Sequence, residues 1–131
     1  MKEIKVRTKA VTEYVDLTSR LKGLIEGEGV DKGIIQLFVP HTTAAITVNE
    51  GADPSVLEDL DTSLEELVPR QGSYRHLEGN AAAHIRSVLV GPSLQVIVEG
   101  GRLRLGRWQS IFFCEFDGPR QRRVWYSILT G

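Results

Sequence analysis

The chain has 131 residues, 41% of them hydrophobic, a size that forms one globular domain and buries roughly two-thirds of the unfolded surface. Sixteen basic against 17 acidic residues leave a formal charge of -1, which excludes a general attraction to nucleic acid or to an acidic membrane surface. No stretch approaches the ~20 apolar residues of a membrane span, and the alternating start Met1-Lys2-Glu3-Ile4-Lys5-Val6 lacks the apolar run of a secretory signal, so the reading is a soluble cytoplasmic protein.

In chain order, Ile4 and Val6 alternate with Lys5 and Arg7 and are followed by Tyr14-Val15, which predicts one or two half-buried strands. Asp16 or Thr18 can cap a helix whose apolar face is Leu17, Leu21, Leu24 and Ile25, with Gly27 and Gly29 to stop it. Gly33 to Val39 and Ala44 to Val48 read as strands, separated by Pro40-His41-Thr42-Thr43, which puts His41 near a strand end. Asp53-Pro54 starts the clearest helix, because an aspartate accepts from free N–H groups and proline fits the first turn. Its expected buried stripe is Val56, Leu57, Leu60, Leu64 and Leu67, and Pro69 ends it.

Residues 69–79 read as an irregular loop holding Tyr74-Arg75-His76, after which Asn80 caps a short helix, Ala81 to Leu89, closed by Gly91-Pro92. Strands are predicted over 94–98 and 103–105 around the hairpin Glu99-Gly100-Gly101, then over Gln109 to Phe116 and Arg123 to Leu129 around Asp117-Gly118-Pro119. The sole cysteine, Cys114, falls in the run Ile111-Phe112-Phe113-Cys114, so an intramolecular disulfide is excluded and a buried thiol is expected. About seven strands in runs with about three helices point to a single α+β domain over 1–131.

Three histidines carry the sharpest chemical signal. On one continuous helix His76 and His84 would lie about 12 Å apart along the axis, too far for a shared metal. Gly79 and Asn80 break that helix, so a loop carrying His76 can fold back over His84 while His41 approaches from its strand end. Three neutral imidazoles with one open position would form a catalytic zinc-type site. The same spacing fits separate, hydrogen-bonded or surface histidines, and both readings stand. Glu50, after Asn49 at a strand end, can orient a histidine or act as a general base, although capping the next helix is the plainer role. Asp59 can face the site or water. Arg102, Arg104, Arg107, Arg120, Arg122 and Arg123 suit an anion such as phosphate, or a solvated edge; Trp108-Gln109 offers a stacking surface beside an amide, or buried packing.

The stretches Pro40-His41-Thr42-Thr43-Ala44 with Asn49-Glu50, Tyr74-Arg75-His76 through Asn80 and His84 to Gly91, and Gly101-Arg102-Leu103-Arg104-Leu105-Gly106-Arg107-Trp108-Gln109 together resemble the signature blocks of the YjbQ-like family. That family is named for a secondary thiamine-phosphate synthase activity, and Arg107 stands where it often has threonine. The resemblance implies a β-sandwich-like core and a homotrimer with sites near subunit boundaries. It also implies a metal, zinc, on His41, His76 and His84, and recurrent roles for Glu50, Asn80, Trp108, Gln109 and Glu115. The implied reaction joins a pyrimidine diphosphate to a thiazole phosphate. His41 and Glu50 are then the catalytic candidates, and Asn80, Arg104, Trp108, Gln109 and Arg120 the contacts to a phosphorylated small molecule. The other reading is a module that binds a metal or phosphometabolite without turnover.

Overall fold

A computed structural model describes residues 2–131. The elements are β1 (Lys2–Arg7), β2 (Glu13–Asp16), α1 (Thr18–Gly27), β3 (Gly33–Phe38), β4 (Ala44–Glu50), α2 (Pro54–Leu67), α3 (Ala81–Val90), β5 (Ser93–Glu99), β6 (Arg102–Leu103), β7 (Gln109–Glu115) and β8 (Gln121–Thr130). Eight strands replace the expected seven or so because the N-terminal alternation resolves into two strands that join different sheets. One sheet has the order β1-β8-β3-β5-β6 and the other β2-β7-β4, with every neighbouring pair antiparallel.

The two sheets face each other across the main core, in which Val6, Ile35, Leu37, Ile46, Ile111, Phe113 and Val124 meet Leu17, Leu21 and Ile25 at α1. The far face of the three-stranded sheet packs Ala45, Cys114 and Phe116 against Leu64 of α2 and Ala83 of α3. β4 and β7 are therefore covered on both faces, which is why they read as continuous apolar runs instead of alternating ones. Cys114 is buried, and burial pushes its thiol up to about 12.

Two local expectations change. Asp53 caps α2 as expected, accepting from Ser55 N at 3.0 Å. The apolar stripe of α2, however, buries only Leu64; Leu67 is 74% exposed and Val56 also faces out. Helical periodicity states that a face is apolar, not that another element covers it. At α1 the capping position is Leu17, and neither candidate hydroxyl nor carboxylate caps the helix in the expected way: Asp16 accepts from Thr18 N, while Thr18 Oγ1 accepts from Ile111 N and ties α1 to β7. Among the described residues no helix is long and apolar enough to cross a membrane.

Candidate functional site

Two crossings between the sheets meet at one end of the sandwich. Pro40, which has no N–H to continue a ladder, follows the end of β3, and residues 39–43 carry the chain across to β4. Residues 116–120 bring it back from β7 to β8. Phe116 N donates to Thr43 O at 3.1 Å and joins the two crossings, while Val39 N to Pro92 O at 2.7 Å and Thr8 N to Arg120 O at 2.9 Å tie each of them to a neighbouring segment. A Cβ on Gly118 would lie 2.3 Å from Ala10 O and 2.8 Å from Glu115 Cγ, so only glycine lets the second crossing pack this closely.

Beneath these crossings Glu115, 0% exposed, receives a two-pronged bond from Arg122, 5% exposed, through Nε and Nη2. Thr8 Oγ1 donates to the same carboxylate at 2.7 Å and Asp117 N at 3.0 Å, while Arg122 Nη2 also donates to Thr43 Oγ1 at 2.8 Å. Burial alone would raise the Glu115 carboxyl, but the Arg122 guanidinium, the Thr8 hydroxyl and the Asp117 amide outweigh it and hold the group below the usual carboxylate range. The pair is a preorganised polar floor, since every donor is aimed before any ligand arrives.

Above that floor lies an open cleft of about 570 Å³ whose polar lining includes His41, Thr42, Thr43, Glu78, Asn80, His84, Arg120 and Arg122. His41 is half-buried and accepts a bond at Nε2 from Arg123 N at 3.0 Å. That bond needs a free lone pair on Nε2, so the neutral ring carries its proton on Nδ1 and offers a donor there. Burial, then the nearby Arg122 and Arg123 charges, lower the His41 pKa and keep the ring neutral at neutral pH despite Glu115. Asn80 stands at the N-cap position of α3 yet makes no cap bond; its Nδ2 donates to Asp117 Oδ2 at 2.8 Å, and its Oδ1 is a buried acceptor with no partner among the described residues. Arg120 grips Asp117 through Nε and Nη2. Glu78 and Asp117 offset the two guanidinium charges, so the cleft is distinguished by its array of donors and not by net charge.

His76 comes from the loop between α2 and α3 and sets its ring edge-to-face against His84, centroids 5.1 Å apart. The start of that loop is held by Arg86, fully buried on α3, whose Nε and Nη2 donate to Val68 O at 3.2 and 2.8 Å. The loop therefore does fold back over α3, as the break at Gly79-Asn80 predicts. Among the described residues no three His, Cys, Asp or Glu side chains stand close enough together to hold a metal as placed. Three imidazoles around one cleft nonetheless supply the donor chemistry that zinc takes.

The other candidates lie elsewhere. Glu50 ends the seven-residue β4, opposite Gln109, about 20 Å from the strand's histidine end. It accepts from Ala52 N at 2.8 Å and lines, with Asp59, a separate groove of about 340 Å³. Gln109 Oε1 accepts from Gly106 N at 2.7 Å, and Trp108, 55% exposed, lies under the Arg107 guanidinium at 4.6 Å. Arg104 sits just past β6, paired with exposed Glu99 at 3.5 Å. Within one chain, then, His41, Asn80, His84 and Arg120 share a cleft with His76 at its edge, whereas Glu50, Arg104, Trp108 and Gln109 do not reach it. Sequence reasoning underrated Arg122 and Thr43. The available signal was the inward stripe Arg122, Val124, Tyr126, Ile128 of β8, in which one guanidinium replaces an apolar residue and so requires a buried acceptor.

The family description "UPF0047 protein YjbQ-like" matches residues 2–131. UPF0047 protein YugU of Bacillus subtilis is 43% identical over 130 residues, covering 98% of each chain. A UPF0047 protein of Methanocaldococcus jannaschii is 47% identical over 124 residues, covering 95% of this chain and 90% of the relative. The crystal structure of an uncharacterized conserved YjbQ/UPF0047-family protein of Clostridium acetobutylicum superposes with a TM-score of 0.95 at 44% identity, covering 98% of this chain and all (100%) of that one. That of a conserved hypothetical protein of Thermus thermophilus gives 0.91 at 47% identity over 98% of this chain and 100% of its own.

Proposed function

The chain belongs to the YjbQ-like UPF0047 family, and on that premise we propose that it is a cytoplasmic enzyme that binds small phosphorylated molecules in the cleft between His41 and His84. What supports this most is the convergence of unlike donors on one opening: the Nδ1–H of a neutral His41, the guanidinium of Arg120, and Arg122, whose Nη1 has no partner among the described residues while Nε and Nη2 are engaged. Phosphoryl oxygens take several such bonds at once, and donors fixed in advance stabilise negative charge as it develops on a departing oxygen. Asn80 Oδ1 would accept from a hydroxyl or amine on the same molecule.

The resemblance to proteins named for thiamine-phosphate synthase activity supplies the reaction to try first, in which diphosphate departs as a pyrimidine joins a thiazole phosphate. Zinc on His76 and His84 belongs to this reading and would polarise a phosphoryl oxygen when bound; His41 would join it only by giving up its bond to Arg123 N, which occupies Nε2 while Nδ1 carries the proton. A homotrimer belongs to this reading as well: Leu67 and Leu129 leave 74% and 61% of their surface exposed, and Glu50, Trp108 and Gln109 need a second chain to meet the histidine cleft.

Inorganic diphosphate titrated into the protein should move the imidazole NMR signals of His41 and His84, and the purified protein should carry about one metal per chain that His76→Ala loses together with synthase turnover. Unmoved signals sink the phosphate reading. Absence of metal in the unmutated protein sinks the zinc part, and saturable binding without product favours the non-catalytic binding module.

A further inference from the structure

The two histidines that flank the polar cleft also form one wall of a second hollow on its other side. His41, Thr42, His84 and Pro92 line both, so the two spaces adjoin at the imidazoles. The second hollow, about 280 Å³, adds only Ala44, Ser87 and Val88, and the Ser87 hydroxyl is spent on Ala83 O at 2.8 Å. Nothing charged lines it apart from the histidines when protonated. One side of the His41–His84 pair thus offers guanidinium and amide groups, while the other offers methyl and pyrrolidine surface, with Val88 80% exposed at its rim.

We infer that the ligand of this cleft is bipartite: an anionic phosphoryl group on the Arg120 and Asn80 side, joined to a compact apolar group that covers Val88 and Pro92, with the link between them passing over His41 and His84. This rests on the phosphate reading above and adds the class of ester. A purely polar phosphate compound would leave Val88 in water and the second hollow unfilled. An apolar group of ring size fits a hollow of about 280 Å³, given that liquid water takes roughly 30 Å³ per molecule, and it gains by removing that surface from water. Such an arrangement also places the bond to the phosphoryl group, and not its far end, beside both imidazoles.

The probes are inorganic phosphate and phenyl phosphate, titrated separately into the full chain while the histidine imidazole signals are followed. Phenyl phosphate should bind about tenfold tighter than inorganic phosphate, the gain from burying one ring face. Val88→Ser, at an exposed position with little bearing on folding, should erase most of that preference while leaving the affinity for inorganic phosphate within about twofold. Arg120→Ala should weaken both probes. Equal affinities for the two probes in the unmutated chain, as when a second copy of the chain covers the hollow, overturn the apolar half and leave the phosphate reading standing. A preference that survives Val88→Ser overturns the placement of the apolar group, and failure of both probes to bind removes both proposals.

Discussion

The two ends of the sandwich carry the same kinds of side chain under opposite conditions. At the crossing end, Glu115 and Arg122 are out of water and spend their hydrogen bonds on each other, on Thr8, on Thr43 and on the Asp117 amide. At the far end, Glu50 closes a local turn to Ala52, Gln109 closes another to Gly106, and Trp108 faces water. A buried group fixes the geometry of its neighbours because any misplacement leaves a charge unpaired in a poorly solvating interior. An exposed group can be rearranged at little cost. The cleft lies at the end where the fold already has to hold polar atoms rigidly, and the far end's groups are held only by their own turns.

The largest effect should come from breaking the buried pair. Arg122→Ala leaves Glu115 buried without its cation and should cost about 3–5 kcal/mol of unfolding free energy in urea, with loss of phosphate binding as well. If the loss is below about 1 kcal/mol, the pair behaves like an exposed one and the contrast between the ends collapses.

A middle-sized effect is expected in acid. The folded Glu115 carboxyl sits below its unfolded value, so its contribution is complete above the ordinary glutamate range near 4.3 and is lost as pH falls from there through the folded value. Unfolding free energy measured against pH should fall through that window, and Glu115→Gln should flatten the fall while lowering stability at neutral pH. An unchanged acid slope in the variant would show that other carboxylates carry the acid sensitivity.

The smallest effect belongs to Arg104, whose partner Glu99 is as exposed as it is, at 3.5 Å. Arg104→Ala should alter stability by less than about 0.5 kcal/mol and leave phosphate binding to the isolated chain untouched. A large loss of binding would bring the far region into the site, through a second copy of the chain.

Much of the fold was legible from residue order. Asp53-Pro54 marked the start of α2 because its cap is local, and the apolar run around Cys114 marked a strand covered on both faces. The break at Gly79-Asn80 foretold that His76 could return to His84, and the rings do meet. Less legible was which apolar stripe would find a partner: Leu64 did and Leu67 did not, although both satisfy the same period. Asn80 misled in an instructive way, since it occupies the cap position while its amide reaches across to Asp117 instead.

What the sequence by itself determined, then, was most of the strands and helices, the family, and the residue types available for chemistry, whereas ends shifted where pairing decides them: β6 covers Arg102–Leu103 and not 103–105, and β8 runs Gln121–Thr130 and not 123–129. Only the tertiary structure decided that His41 and His84 share a cleft while Glu50 does not, and which acceptors meet the inward Arg122. The reason is distance along the chain: Thr8 meets Glu115 across 107 positions and Arg122 meets Thr43 across 79. Contacts of that span are selected by how two sheets cross and pack, and no local pattern records them.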